Sequence, residues 1–487
     1  MKKFGVFDFL FSLGLFLFFL LPPTDPDLGW QLRCGEQIWK GQGFCSQNQF
    51  SVLLAGYPWV NHHWLYQVII WGLWGLWGLW GPWGLTILGA GITALAFWFF
   101  YSAIPNFRAE KIGAIGIIGV IGWGVFSFGI RSQLAGFLFF SILLWLLSRI
   151  KERPRLVFLV PVVMLAWANS HGGSVGLGVA LVFLGVIRAI REIRERGWVA
   201  LVLLVAVAAT LVNPFGFRIY QEAWRHFWAA RLDRLIAEWV PPTPVFWWLT
   251  LLGGLGVLGF LGRSQKWSWA LLSLAFTILG LKARRNLPFT FLLNFFLLLS
   301  LPSMKKILGA WLKKEELRNS LSYLMLVGLL SFGFFIRLPQ TIDANLSWQN
   351  YCEESSLDYP YRAVEFLKKE VSPPSLLRAG GLRRTSNIFN RYEWGGFLIW
   401  QLPEYKVFVD GRMPAWGTPT AKSPYTIYLE TLQTQPGWQE TLREYKIDWI
   451  LISPGTFMDL LLRPSLEKYG WQEVFRDRIS VIYERKN

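Results

Sequence analysis

The sequence predicts an α-helical, multi-pass membrane domain followed by a small soluble α/β domain. Three observations carry that reading. Of the 487 residues, 53% are hydrophobic and only 16% are charged, too apolar a balance for a soluble enzyme of this length. Between Phe4 and Ile336 the apolar residues cluster in runs of about 15 to 23, enough to cross a hydrocarbon core when helices tilt or the bilayer thins. After residue 336 the runs give way to amphipathic helices alternating with short apolar strands.

Eleven spans are read, at about 5–21, 82–104, 112–130, 134–149, 156–170, 174–190, 198–212, 244–262, 267–281, 287–301 and 321–336. Lys2 and Lys3 precede the first, as in a signal peptide, but no small-x-small cleavage site follows, so it is taken as an uncleaved anchor. The longest connection, 22–81, holds an amphipathic helix for the membrane surface, with Leu28, Trp30, Leu32, Ile38 and Trp39 on it and Asp27 as a candidate N-cap. Segment 62–80 is expected to be juxtamembrane or re-entrant, because a full crossing would reverse this loop against the later charge pattern. It runs into a repeat with Trp at every third position from Trp71 to Trp83, which spirals round a helix and suits interfacial anchoring. The predicted division is 1–336, including the loop 22–81, and 337–487. In the second part, helices are expected at 361–370 and 438–445, strands at 406–409, 449–452 and 479–483, and loops at 371–385 and 413–424.

A net charge of +17 would point to nucleic acid in a soluble chain, but its distribution points elsewhere. The loops 1–4, 105–111, 149–155, 188–197, 263–266 and 302–320 hold 19 Lys/Arg and 6 Asp/Glu; the alternating loops hold 10 and 6. The richer set should be cytoplasmic, which places the N-terminus inside, the C-terminal domain outside, and the protein in the cytoplasmic membrane. Beyond residue 336 there are 19 basic and 18 acidic residues, so the excess charge lies with the membrane half and nucleic-acid binding is not expected. Cys34 and Cys45 share one external loop and can pair, leaving Cys352; three free thiols are the alternative.

With this topology all four histidines, His62, His63, His171 and His226, fall in external segments or at their edges. So do Asp25, Asp27, Glu36, Arg131, Asn169, Asn213, Glu238, Lys282, Arg284, Arg285 and Asn286, which together suggest a polar site on the external rim. Arginine presents a planar fork matched to phosphate oxygens, so Arg131, Arg284 and Arg285 are candidates to hold a phosphate; headgroup snorkelling is the alternative for each. Asp25-Pro26-Asp27 puts two carboxylates directly after the first span, where one can serve as general base or both can share a divalent cation, or Asp27 can simply cap the next helix. Adjacent histidines diverge on a helix, so at most one of His62 and His63 is expected to face the site. His171, before Gly172-Gly173, is either a site residue or part of a tight bend.

At these residues the chain resembles a bacterial family of GT-C-type membrane glycosyltransferase-like proteins, related in plan to transferases that use polyprenyl-phosphate sugars. The resemblance rests on DPDLGWQLRCGEQI (25–38), YPWVNHHWL (57–65), WANSHGGSVGLG (167–178), LVNPFG (211–216), AEWVPP (237–242), ARRNLPF (283–289) and, near the C-terminus, FNRYEWGGFLIWQLP and VFVDGR. It implies a GT-C fold with the catalytic aspartate in the first external loop, here Asp25 or Asp27. Gln31 stands where His is expected, Asn48 where Asp is usual and His63 where Glu is usual. The function expected on this basis is transfer of a sugar from a polyprenyl-phosphate donor to a glycan, lipid or protein acceptor. Asp25 or Asp27 is then the base, and Arg131, Arg284 and Arg285 bind the donor phosphate. Glu36, His62, His63, Asn169, His171, Asn213 and Glu238 give polar support. No cofactor is required, and a divalent cation can be accommodated. A carrier for a lipid-linked or anionic solute and a non-enzymatic glycan-assembly component are the alternatives. In the C-terminal motifs, Trp394 and Trp416 offer sugar-stacking surfaces, while Gly395-Gly396 reads as a packing contact and Asp410-Gly411 as a turn.

Overall fold

A computed structural model describes residues 5–77, 81–104, 108–192, 197–228, 236–301, 304, 315–354, 358–370, 386–414, 416–417 and 422–486. The chain forms two compact units, one of Met1–Pro23 with Trp83–Ile342 and the other of Thr24–Pro82 with Asp343–Asn487. The predicted division kept the first long loop with the membrane domain; by its contacts, 24–82 belongs with the C-terminal residues.

The first unit is a bundle of apolar helices, as befits a multi-pass membrane protein. A helix stands at each of the eleven predicted positions, from Val6–Phe18 to Glu315–Phe332. Five helical segments are long and apolar enough to cross a membrane: Gly81–Ala103, Ser132–Arg149, Pro154–Ile190, Pro244–Arg263 and Glu316–Asn345. The third of these runs through both predicted spans 156–170 and 174–190, joined by a short 3-10 turn at Gly172–Ser174. Shorter apolar helices include Val6–Phe18, Gly197–Ala209 and Trp267–Lys282. In hydrocarbon no water satisfies the backbone, so continuous helices are the form these runs can take. Small residues let them approach closely: an added Cβ on Gly254 would lie 2.5 Å from Thr277, and one on Gly280 2.7 Å from Thr290. Phe97, Phe126 and Phe137 form a buried aromatic cluster within the unit.

The second unit contains a five-stranded sheet: β1 (Ser386–Asn390), β2 (Tyr405–Val407), β3 (Trp449–Ile452), β4 (Trp471–Arg476) and β5 (Val481–Arg485), in the order β2-β1-β3-β5-β4. β1 pairs parallel with both β2 and β3, whereas β5 pairs antiparallel with β3 and β4. Strands at 406–409, 449–452 and 479–483 were predicted; β1 and β4 were not. β1 (SNIFN) lacks an apolar run, yet its last three residues are buried because it is the second strand of the sheet. Helices Tyr361–Glu370 and Trp438–Glu444 match the predicted pattern. The predicted loop 371–385 lies outside the described residues, as do 415 and 418–421 of the predicted loop 413–424.

The loop 24–82 folds onto this domain. Helix Leu28–Trp39 crosses helix Gly395–Gln401 so closely that a Cβ on Gly29 would lie 2.0 Å from the Gly396 carbonyl oxygen. On its other side a Cβ on Gly35 would meet the Gln67 carbonyl at 2.2 Å, which seats helix Trp64–Trp77. Ser51 forms a parallel bridge with Val407, extending the sheet beyond β2. Cys34 and Cys45 are disulfide-bonded, with Cα atoms 5.7 Å apart, and Cys352 is buried and outside any disulfide.

Candidate functional site

In the first unit, three of the predicted residues come together. Glu238 lies between two guanidiniums, in an ion pair with Arg131 Nη1 at 3.2 Å and accepting from Arg285 Nη1 at 3.1 Å. Arg131 precedes helix Ser132–Arg149, and Arg285 sits on the 3-10 turn between helices Trp267–Lys282 and Leu287–Leu299. Backbone bonds from Arg284 N to Val240 O and from Arg285 N to Glu238 O pin that turn against the segment carrying the carboxylate. Each guanidinium also rests on a ring, Arg131 over Phe128 and Arg285 over Trp239, both 4.5 Å from the centroid. Burial alone would raise the Glu238 carboxyl; Arg285, and then Arg131, outweigh it and hold the group below the ordinary carboxylate range. One carboxylate against two guanidiniums leaves a net positive charge, to which exposed Arg284 adds. Such a cluster attracts an anion.

Other predicted residues have structural partners here. Asn169 donates to the Leu165 and Val212 carbonyls. Asn213 builds the turn after helix Gly197–Ala209, donating to Thr210 O and Gly216 O and accepting from Phe215 N. His171 Nδ1 is 2.6 Å from Ser174 Oγ, which also accepts from Trp167 Nε1 at 2.9 Å, so the WANSHGGS motif closes the bend between two helical segments. Lys282 Nζ donates to Phe227 O at 2.6 Å.

In the second unit, Asp25 is 2% exposed and its carboxylate accepts from Asp27 N at 3.2 Å, shaping the turn into helix Leu28–Trp39. Asp27 occupies the N-cap position, but its side chain makes no capping bond to the helix. Its Oδ1 accepts from Trp30 Nε1 at 2.9 Å instead, and a Cβ on Gly411 would collide with that oxygen. Glu36 is bound by Arg33 and Lys40 on its own helix; burial opposes its charge, yet the two cations hold its carboxyl low. The rings of His62 and His63 lie 4.0 Å apart, against the expectation that they diverge. They sit on the turn before helix Trp64–Trp77, where the angular spacing of a helix does not apply. His62 Nδ1 contacts Val60 O, and the His63 ring meets Trp30 edge-on. No group of three His, Cys, Asp or Glu suited to a metal gathers among the described residues.

Sequence reasoning missed a buried polar knot. Arg412 and Asp410 form a two-pronged ion pair at 2.7 and 2.8 Å with side chains 1% and 0% exposed. Arg412 Nη2 also donates to Asn48 Oδ1 at 3.1 Å and Ser51 Oγ at 3.3 Å, while Ser51 donates to Asp410 at 2.5 Å. Four rings, Trp30, Phe50, Trp59 and Trp416, surround the guanidinium. Trp416 is thus part of a packed cage, stacked on Tyr57, and Trp394 is fully buried with its indole donating to Asp358 O. Asn48, the departure noted above, accepts from Arg412 and donates to the Leu53 and Leu54 carbonyls. An aspartate could not make the last two bonds, so the amide suits this knot. The signal available in sequence was Asp410-Gly411-Arg412 itself, which reads equally well as a turn.

No family model matches the chain, and no curated protein matches it. Among solved structures it is similar to the crystal structure of the Archaeoglobus fulgidus oligosaccharyltransferase in the apo form, with a TM-score of 0.56 and 10% identity over 92% of this chain and 70% of that one. It is also similar to the same enzyme tethered by a disulfide to an acceptor peptide containing the NVT sequon, with a TM-score of 0.54 and 9% identity over 100% of this chain and 74% of that one. At such identities the likeness is one of fold: the chain has a GT-C-like fold of the oligosaccharyltransferase kind, that of a multi-pass membrane protein.

Proposed function

We propose that the protein is a membrane glycosyltransferase that moves a sugar from a polyprenyl-phosphate donor to a hydroxyl or amide of a glycan, lipid or protein acceptor on the external face of the cytoplasmic membrane. The observation that carries the reading is the fold shared with an oligosaccharyltransferase. The Arg131–Glu238–Arg285 cluster supports it, because preset cations stabilise the charge that develops on a departing phosphate. Arg284 extends the cluster toward solvent. Asp25 or Asp27, the paired carboxylates at the start of helix Leu28–Trp39, is the general base. Glu36, His62, His63, Asn169, His171 and Asn213 are assigned supporting polar roles. The scheme requires no cofactor; a divalent cation shared by Asp25 and Asp27 is tested by adding a chelator.

The experiment supplies purified full-length protein with a panel of polyprenyl-phosphate sugars and measures sugar release by wild type, Asp25→Asn and Asp27→Asn. Asparagine keeps an acceptor oxygen for Trp30 Nε1 and for Asp27 N, so both variants should fold. Loss of the general base predicts a fall of about 10²- to 10⁴-fold for whichever of Asp25→Asn and Asp27→Asn removes it. Equal release by Asp25→Asn and wild type would remove Asp25 from the chemistry. Binding of a donor that wild type leaves intact would favour a carrier.

A further inference from the structure

The helix Arg218–Trp228 carries both its tryptophans on the exposed side. Phe217, Trp224 and Trp228 are 63%, 66% and 61% exposed, and their spacing puts them on one face with Gln221, flanked by Arg218 and Arg225. The opposite face is fixed in place. Ile219 and Glu222 are buried, and Glu222 takes ion pairs from Arg225 at 3.2 Å and His226 at 3.4 Å. Tyr220 bonds Thr210 at 2.6 Å, and Lys282 donates to Phe227 O while standing 3.4 Å over its ring. The helix is therefore tied down with its tryptophans outward. Earlier in the chain, Val212 and, on the apolar helix Gly197–Ala209, Leu201 and Val205 are also exposed.

We propose that this helix lies in the interfacial layer of the lipid bilayer, with Phe217, Trp224 and Trp228 among the upper acyl chains and Arg218 reaching lipid phosphates. Tryptophan and arginine together suit that layer, where one end of a side chain is apolar and the other wet. The exposed apolar residues Leu201, Val205 and Val212 that precede this helix in the chain favour the bilayer over a protein partner. The inference is independent of the glycosyltransferase reading.

The test places a nitroxide spin label at single cysteines in full-length protein in nanodiscs of phosphatidylethanolamine and phosphatidylglycerol. The variants are Phe217→Cys, Trp224→Cys and Trp228→Cys, with Glu440→Cys in the C-terminal unit as a water-exposed control and the unsubstituted protein as the labelling blank. Collision rates with oxygen and with a water-soluble nickel chelate give depth. The proposal expects at least two of the three helix labels to favour oxygen over nickel several-fold, at a depth of about 5–10 Å below the headgroups. Nickel access equal to that at 440 overturns it. So does suppression of both collision rates, which would mean that protein covers the face; dipolar broadening would then identify a second copy.

Discussion

Asp410→Asn should unlatch the segment 46–60 from the C-terminal domain. The ion pair it breaks is buried on both sides, with side chains 0% and 1% exposed, so the guanidinium of Arg412 would stay in a dry aromatic cage without a counter-charge. Breaking such a pair from one side costs about 3–5 kcal/mol. The reporters are two backbone amides beside the knot, Val52 N bonded to Val407 O at 2.9 Å and Val407 N bonded to Phe50 O at 3.1 Å. At about 1.4 kcal/mol per tenfold, their hydrogen-exchange protection should fall roughly 150- to 5,000-fold. Replacing the pair by Asp410→Leu with Arg412→Met removes the stranded charge and should restore at least a tenfold share of that protection, although Asn48 and Ser51 lose partners. The reasoning fails if Asp410→Asn stays within about fivefold of wild type, or if the double variant exchanges as fast as the single one.

The same pair sets an acid limit. Burial would raise the Asp410 carboxyl, but Arg412 and Ser51 outweigh it, so the folded value lies below the ordinary 3.8; the stabilisation is complete above pH 3.8 and is lost as pH falls through the lower folded value, a loss that exchange in Asp410→Asn should not show. Glu238→Ala removes a counter-charge from beside Arg131, whose side chain is 6% exposed, and should lower the thermal unfolding midpoint of the detergent-solubilised protein, with Glu238→Gln lowering it less because an acceptor remains; equal midpoints for all three would contradict the cluster. Gly29→Ala puts a methyl against the Gly396 carbonyl, which as backbone has little room to move, and should destabilise helix Leu28–Trp39 by about 1–3 kcal/mol or more, read as faster exchange in that helix. Reducing the Cys34–Cys45 bond, which closes a separation of 11 residues, should cost about 2–3 kcal/mol, seen as a lower unfolding midpoint with reductant that Cys34→Ser with Cys45→Ser reproduces without it.

What the sequence determined by itself was the local part. Runs such as 244–262 and 267–281 are helices because a stretch without water must satisfy its own backbone, and hydropathy reports that residue by residue. Trp449–Ile452 was legible for a similar reason, as an uninterrupted apolar run. Composition also singled out Arg131, Glu238 and Arg285 as polar groups at span ends. Their arrangement as one carboxylate between two guanidiniums was not legible, because it depends on a contact between residues more than 100 apart. β1 escaped notice because its burial comes from β2 and β3 on either side rather than from its own composition. The tertiary structure alone decided that 24–82 folds with 343–487, through Gly29 on Gly396 and through Ser51 on Asp410, 359 positions away. Hydropathy and periodicity are properties of a neighbourhood along the chain, whereas such pairings are fixed by shape and charge complementarity between surfaces that exist only once the chain has folded.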